Sequence, residues 1–67
     1  MNEQPALLTV REVADEMRIS TMTVYRLIRS EALPAIRVGK HLRIRARELE
    51  RFLEAQTVGG GNAWPAA

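Results

Sequence analysis

Two helix-start signals stand eleven residues apart in this chain, and that spacing limits its fold more than any other feature. The first is Thr9-Val10-Arg11-Glu12, a capping box in which the Thr9 hydroxyl caps an early backbone N–H while Glu12 reaches back to the Thr9 amide. The second is Ser20, a good N-cap ahead of the run Thr21 to Ser30. Between them Val10, Val13, Ala14 and Met17 recur at helical spacing, so the first helix keeps its apolar face for about two turns and ends near Arg18. Ile19 is expected to be buried in the turn. In the second helix Val24, Leu27 and Ile28 form the apolar face, which leaves Thr21, Met22, Thr23, Arg26 and Arg29 to face outward.

Pro34 cannot continue a helix, and beyond it the segments 35–38 and 41–44 alternate apolar with basic residues around Gly39-Lys40. This pattern predicts a two-stranded hairpin. Ile36, Val38, Leu42 and Ile44 are its apolar residues, while Arg37, Lys40, His41, Arg43 and Arg45 supply the polar side and the tip. An isolated hairpin is marginal in water, so it must lean on the helices. Residues 46–55 then read as a third helix, with Leu49, Phe52 and Leu53 on one face and no good N-cap before it. After Gln56 three glycines and a proline oppose regular structure. The expected organisation is an N-terminal arm at 1–6, one folded domain at 7–56 and a flexible tail at 57–67. Trp64 in the tail is an isolated indole at a frayed end or an anchor for a neighbouring subunit. The fold class expected is mainly α with a small β-hairpin, in the order α-α-β-β-α.

A chain of 67 residues with no cysteine and one histidine has neither disulfides nor a zinc site to staple it. Its stability is expected to be marginal, helped by whatever binds the folded form alone. No apolar run approaches the ~20 residues that span a membrane, and the N-terminus lacks a basic region followed by a long apolar one. A cytoplasmic location, associated with the bacterial nucleoid, is expected.

The net charge of +2 conceals how the charges are sorted. Residues 1–17 carry Arg11 against Glu3, Glu12, Asp15 and Glu16, a net −3. Residues 18–47 carry Arg18, Arg26, Arg29, Arg37, Lys40, Arg43, Arg45 and Arg47 against Glu31 alone, a net +7. The remainder sets Arg51 against Glu48, Glu50 and Glu54, a net −2. A basic middle between acidic ends suits a polyanion. Two short helices around a tight turn, with small Ala14 permitting a close crossing, are the packing grammar of a helix-turn-helix, whose second helix enters the major groove of DNA. The base-reading candidates are then Thr21, Met22, Thr23 and Arg26, with Arg26 placed for bidentate bonding to guanine and Met22 or a threonine methyl for a thymine methyl. Ser20, Tyr25, Arg29, Arg18 and Arg45 are assigned to the phosphate backbone. The basic hairpin is a wing, with Arg37, Lys40, His41 and Arg43 directed at the backbone or the adjacent minor groove.

These residues also carry a family likeness. The segments Leu7-Leu8-Thr9-Val10-Arg11-Glu12-Val13-Ala14, Thr23-Val24-Tyr25-Arg26-Leu27-Ile28, Leu33-Pro34-Ala35-Ile36-Arg37-Val38-Gly39-Lys40, and Arg43-Ile44 before Glu48-Leu49-Glu50-Arg51-Phe52-Leu53 resemble the excisionase-type winged helix-turn-helix family. That family is related to the DNA-binding domain of MerR-type regulators and includes phage excisionases and small actinobacterial regulators. The resemblance implies that the second helix reads the major groove and the wing approaches the minor groove. The chain departs from the family at Arg18, where the turn commonly has glycine; arginine there strains a left-handed turn or adopts another, and adds a phosphate contact.

Three functions follow from the sequence. By resemblance, the first is a recombination directionality factor that binds tandem sites on double-stranded DNA, bends the duplex, associates head-to-tail and steers an integrase toward excision. The second is a transcriptional regulator using the same surface. The third is a protein-interaction module presenting Glu12, Asp15 and Glu16 to a basic partner. Catalysis is not expected: Asp15 and Glu16 are adjacent and diverge on a helix, and His41 has no partner at ligand spacing. Gly59 to Gly61 are followed by no helix or lysine, so no nucleotide loop is expected, and no cofactor or metal is called for.

Overall fold

The structure is a computed structural model that describes residues 6–58. Six elements follow one another: β1 (Leu7–Leu8), α1 (Val10–Met17), α2 (Thr21–Arg29), β2 (Ile36–Val38), β3 (His41–Arg45) and α3 (Ala46–Ala55). Both start signals form as their chemistry requires. The Glu12 amide donates to Thr9 Oγ1 at 2.9 Å and the Thr9 amide to Glu12 Oε1 at 2.9 Å, completing the capping box. The Thr23 amide donates to Ser20 Oγ at 3.1 Å and opens α2.

The two helix ends share one device. Arg18 lies in the left-handed region at φ 59° and ψ 45°. There its amide donates to the Asp15 carbonyl at 3.3 Å and the Ile19 amide to the Ala14 carbonyl at 3.0 Å. These bonds are a Schellman motif, and Ile19, the residue after the left-handed one, packs on the core. After α2, Glu31 repeats it at φ 67°, with its amide on Ile28 and that of Ala32 on Leu27. Both positions favour glycine, and a Cβ there costs roughly 1–2 kcal/mol. The left-handed alternative at Arg18 is therefore the one adopted, and Glu31 is a second strained position that the spacing did not announce.

The expected two-stranded hairpin is part of a three-stranded antiparallel sheet in the order β1-β3-β2. Leu7 and Leu8 pair with Arg45 and Ile44. Immediately beyond, the Ala46 amide donates to the Ala6 carbonyl at 3.0 Å. That bond explains how α3 begins at Ala46 although its N-cap, Arg45, makes no side-chain cap: main chain from the start of the domain satisfies the first free N–H.

The hairpin register corrects the expected division of faces. Gly39 and Lys40 form a two-residue loop, so Val38 pairs with His41, Arg37 with Leu42 and Ile36 with Arg43. Gly39 takes φ +65° at the first loop position, as a type II′ turn requires, and open space surrounds it. Directly paired residues share a face. Leu8, Leu42 and Ile44 thus face the helices with Arg37 beside them, while Leu7, Ile36 and Val38 share the outer face with His41, Arg43 and Arg45. Val38 is accordingly 48% exposed, whereas Ile44 is fully buried.

The core is small and draws on all three helices and β3. Val10, Val13, Ala14, Val24, Leu33, Ile44 and Leu49 are buried, and Leu8, Met17, Ile19, Leu27, Ile28, Ala35, Leu42 and Phe52 pack around them. Ala14 is 2% exposed within this cluster, where a larger side chain would force its close-packed neighbours apart. Leu33 is fully buried although it lies in the irregular segment between α2 and β2. The architecture is a winged helix-turn-helix, mainly α with a small antiparallel sheet. Among the described residues no helix is long and apolar enough to cross a membrane. The expected arm at 1–6 and tail at 57–67, with Trp64, lie almost wholly outside the described residues.

Candidate nucleic-acid interface

The geometry of the site begins with the burial of α2. Val24 is its fully buried residue, with Leu27 and Ile28 half-buried on either side. At 100° per residue the opposite side of the helix consists of Met22, Tyr25, Arg26 and Arg29, and all four are exposed. Met22 is 61% exposed and Tyr25 47%. Thr21 joins these four along a shallow surface depression. Arg26 Nη2 donates to Met22 Sδ at 3.9 Å, so the side chains one turn apart lie against each other.

The two hydroxyl residues at the helix start are differently engaged. Ser20 Oγ and Thr23 Oγ1 are 3.0 Å apart and share a hydrogen bond, while Ser20 Oγ also accepts from the Thr23 amide. Thr23 is half-buried, at the flank of the outward stripe rather than on it. Sequence reasoning treated Thr21, Met22, Thr23 and Arg26 as one group. The helix separates them into an exposed Met22–Arg26 pair and two flanking threonines. Tyr25, assigned to phosphates, sits on the stripe itself. Arg18 is exposed in the turn that leads into α2, and the left-handed backbone sets its position.

On the hairpin, Lys40 lies in the turn and His41 opens β3 beside it, both exposed. Arg37 and Arg43 flank the turn from opposite faces of the sheet. Arg43 is half-buried and donates from Nη1 to the Leu42 carbonyl at 2.8 Å, which draws its guanidinium back against the strand. Arg45 is exposed at the far end of β3, about 13 Å along the strand from His41. It adjoins Arg47, an exposed base on α3 that the residue assignments omitted although it belongs to the basic run.

Electrostatics unify these positions. Among the described residues one salt bridge forms, between Arg11 Nε and Asp15 Oδ1 at 4.0 Å on exposed α1. Among the described residues, Arg18, Arg26, Arg29, Arg37, Lys40, Arg43, Arg45 and Arg47 have no carboxylate within ion-pair distance. The described residues contain no cluster of ligating side chains that would hold a metal ion. The arrangement offers hydrogen-bond donors and positive charge along one helix and one hairpin.

Comparison with known proteins agrees with this geometry. A Mycobacterium tuberculosis protein, present in two strains under the name "Putative DNA-binding protein", is 49% identical over 55 residues, which cover 82% of this chain and 70% of that protein. An uncharacterized Bacillus subtilis protein is 40% identical over 52 residues, 78% of this chain but 17% of its own length. Residues 7–57, from β1 to just beyond α3, match a helix-turn-helix domain. The chain belongs to that helix-turn-helix domain family.

Proposed function

We propose that the chain binds double-stranded DNA, with α2 in the major groove and the hairpin against the backbone or in the adjacent minor groove. The observation that carries this reading is the set of arginine and lysine side chains on α2, its preceding turn and the hairpin that have no ion-pair partner among the described residues. Like charges crowded on a small domain repel one another, and a polyanion relieves that repulsion while releasing counterions. The names of the Mycobacterium tuberculosis relatives support the same reading. Catalysis has no part in it.

Within DNA binding, the proposed role is that of an excisionase, a recombination directionality factor for a phage integrase. Its support is the resemblance of residues 7–55 to that family. The protein acts architecturally in the bacterial cytoplasm: bending a site costs of order 1–6 kcal/mol, offset by wing and helix contacts and by neighbouring copies docked head-to-tail. Regulation of transcription through the same surface is the second reading. A gel-shift titration on the surrounding genomic DNA, with circularly permuted fragments, separates the two. Cooperative laddering with strong bending beside an integrase gene is the result expected of an excisionase; one unbent complex over a promoter overturns that role.

A further inference from the structure

We infer that Met22 is a site of reversible oxidation, and that its sulfoxide captures the Arg26 guanidinium and withdraws it from DNA. The inference rests on the DNA-binding reading and adds a chemical control over the same helix. It starts from the contact on the outward stripe in which Arg26 Nη2 donates to Met22 Sδ at 3.9 Å. Met22 is 61% exposed and lies in the depression it shares with Thr21, Tyr25, Arg26 and Arg29, so a small oxidant dissolved in water reaches its sulfur. Met17 is half-buried and packs against the core, which shields it.

The step is a two-electron oxygen transfer from a peroxide. A sulfur lone pair attacks one peroxide oxygen, the S–O bond forms as the O–O bond breaks, and the departing hydroxide takes the proton of the transferred oxygen and leaves as water. Sulfur is oxidised and the peroxide reduced, and thiol reductases that act on methionine sulfoxide reverse the change. Its consequence comes from the neighbouring side chain. A thioether sulfur is a weak acceptor, so the existing contact holds Arg26 loosely. The sulfoxide oxygen is a strong acceptor beside a cation, and hydrogen bonds with one ionised partner are roughly twice as strong as neutral ones. An N–H···O bond spans about 2.9 Å between heavy atoms, and the Nη2 donor already points at the sulfur from 3.9 Å. An oxygen carried on that sulfur therefore comes within reach of Nη2 without movement of the backbone. No carboxylate among the described residues lies within ion-pair distance of Arg26, so none competes with the sulfoxide for the guanidinium.

Titration of the purified chain with hydrogen peroxide, followed by peptide mass mapping and by fluorescence anisotropy on a duplex, tests the switch. Met22 is expected to gain one oxygen before Met17, with the circular dichroism unchanged because Met22 takes no part in the core. The chain oxidised at Met22 is expected to bind the duplex about tenfold more weakly, and methionine sulfoxide reductase to restore the affinity. Met22→Leu has no sulfur at this position, so its own affinity is expected to survive the same treatment. In Arg26→Ala the captured group is gone, and oxidation is expected to leave that variant's affinity nearly as it was. Oxidation of Met17 ahead of Met22, loss of helical signal on oxidation of Met22, equal affinity of the reduced and oxidised chains, or an equal loss in Arg26→Ala overturns the inference while leaving DNA binding intact. Absence of any salt-dependent duplex binding by the reduced chain overturns the DNA reading itself, and the inference with it.

Discussion

Replacing Arg18 by glycine should make the domain more stable, although it deletes an arginine and loosens the unfolded chain. Arg18 sits at φ 59° and ψ 45°, where a Cβ costs roughly 1–2 kcal/mol. Glycine removes that cost but adds unfolded-state entropy worth about 0.4–1 kcal/mol. The balance favours the variant by about 0.5–1 kcal/mol. Nothing is lost from the side chain, which is exposed and makes no hydrogen bond or ion pair among the described residues. In a domain of this size 1 kcal/mol moves the melting temperature by about 4–8 °C, so thermal unfolding by circular dichroism should show a rise of about 2–8 °C. Arg18→Ala is the control, because it deletes the same side chain yet keeps the Cβ; its melting temperature should stay close to wild type. Both variants lose one charge from the turn before α2, so both should bind duplex DNA more weakly, with the salt slope reduced by about one. A glycine variant that melts no higher than the alanine variant refutes the argument from backbone strain.

The remaining predictions follow from neighbouring features. Ser20→Ala removes the cap of α2 and the partner of Thr23, and should cost about 1 kcal/mol in denaturant unfolding while weakening DNA binding. Leu33→Ala opens a hole at a fully buried site in a core with few fully buried side chains; a loss of about 2–5 kcal/mol should leave much of the protein unfolded by circular dichroism. Arg26→Ala should lose discrimination between matched and scrambled duplexes, whereas Lys40→Ala at the hairpin turn should weaken both alike, as fluorescence anisotropy on the two DNAs will show.

Elements whose causes are local were legible in the sequence. The capping box at Thr9, the cap at Ser20 and the apolar spacing of α1 and α2 each act within a few residues, and the structure realises them where expected. Features created by distant partners were not. Leu7-Leu8 is too short to show a period, and it becomes a strand because β3, far along the chain, offers it an edge. The missing cap of α3 was visible, but the Ala6 carbonyl that replaces it was not. Alternation alone placed Ile36 and Val38 with Leu42 and Ile44; the two-residue loop fixes the opposite parity. Leu33 escaped notice because it lies in no periodic element, and Glu31 because left-handed helix ends are usually marked by glycine. At the candidate site the basic residues were all readable from the sorted charges. The close approach of Arg26 to Met22 and the withdrawal of Thr23 into the cap depend on side-chain directions that spacing does not specify.

The central claim, that the basic residues of α2, its turn and the hairpin form a surface for duplex DNA, is tested most directly by the affinity of the purified chain for a duplex across a range of salt concentrations. If Arg18, Arg29, Arg37, Lys40, Arg43 and Arg45 engage phosphates, the logarithm of the association constant should fall linearly with the logarithm of salt concentration, with a slope of about −5. A slope near zero, or no binding at low salt, would contradict it.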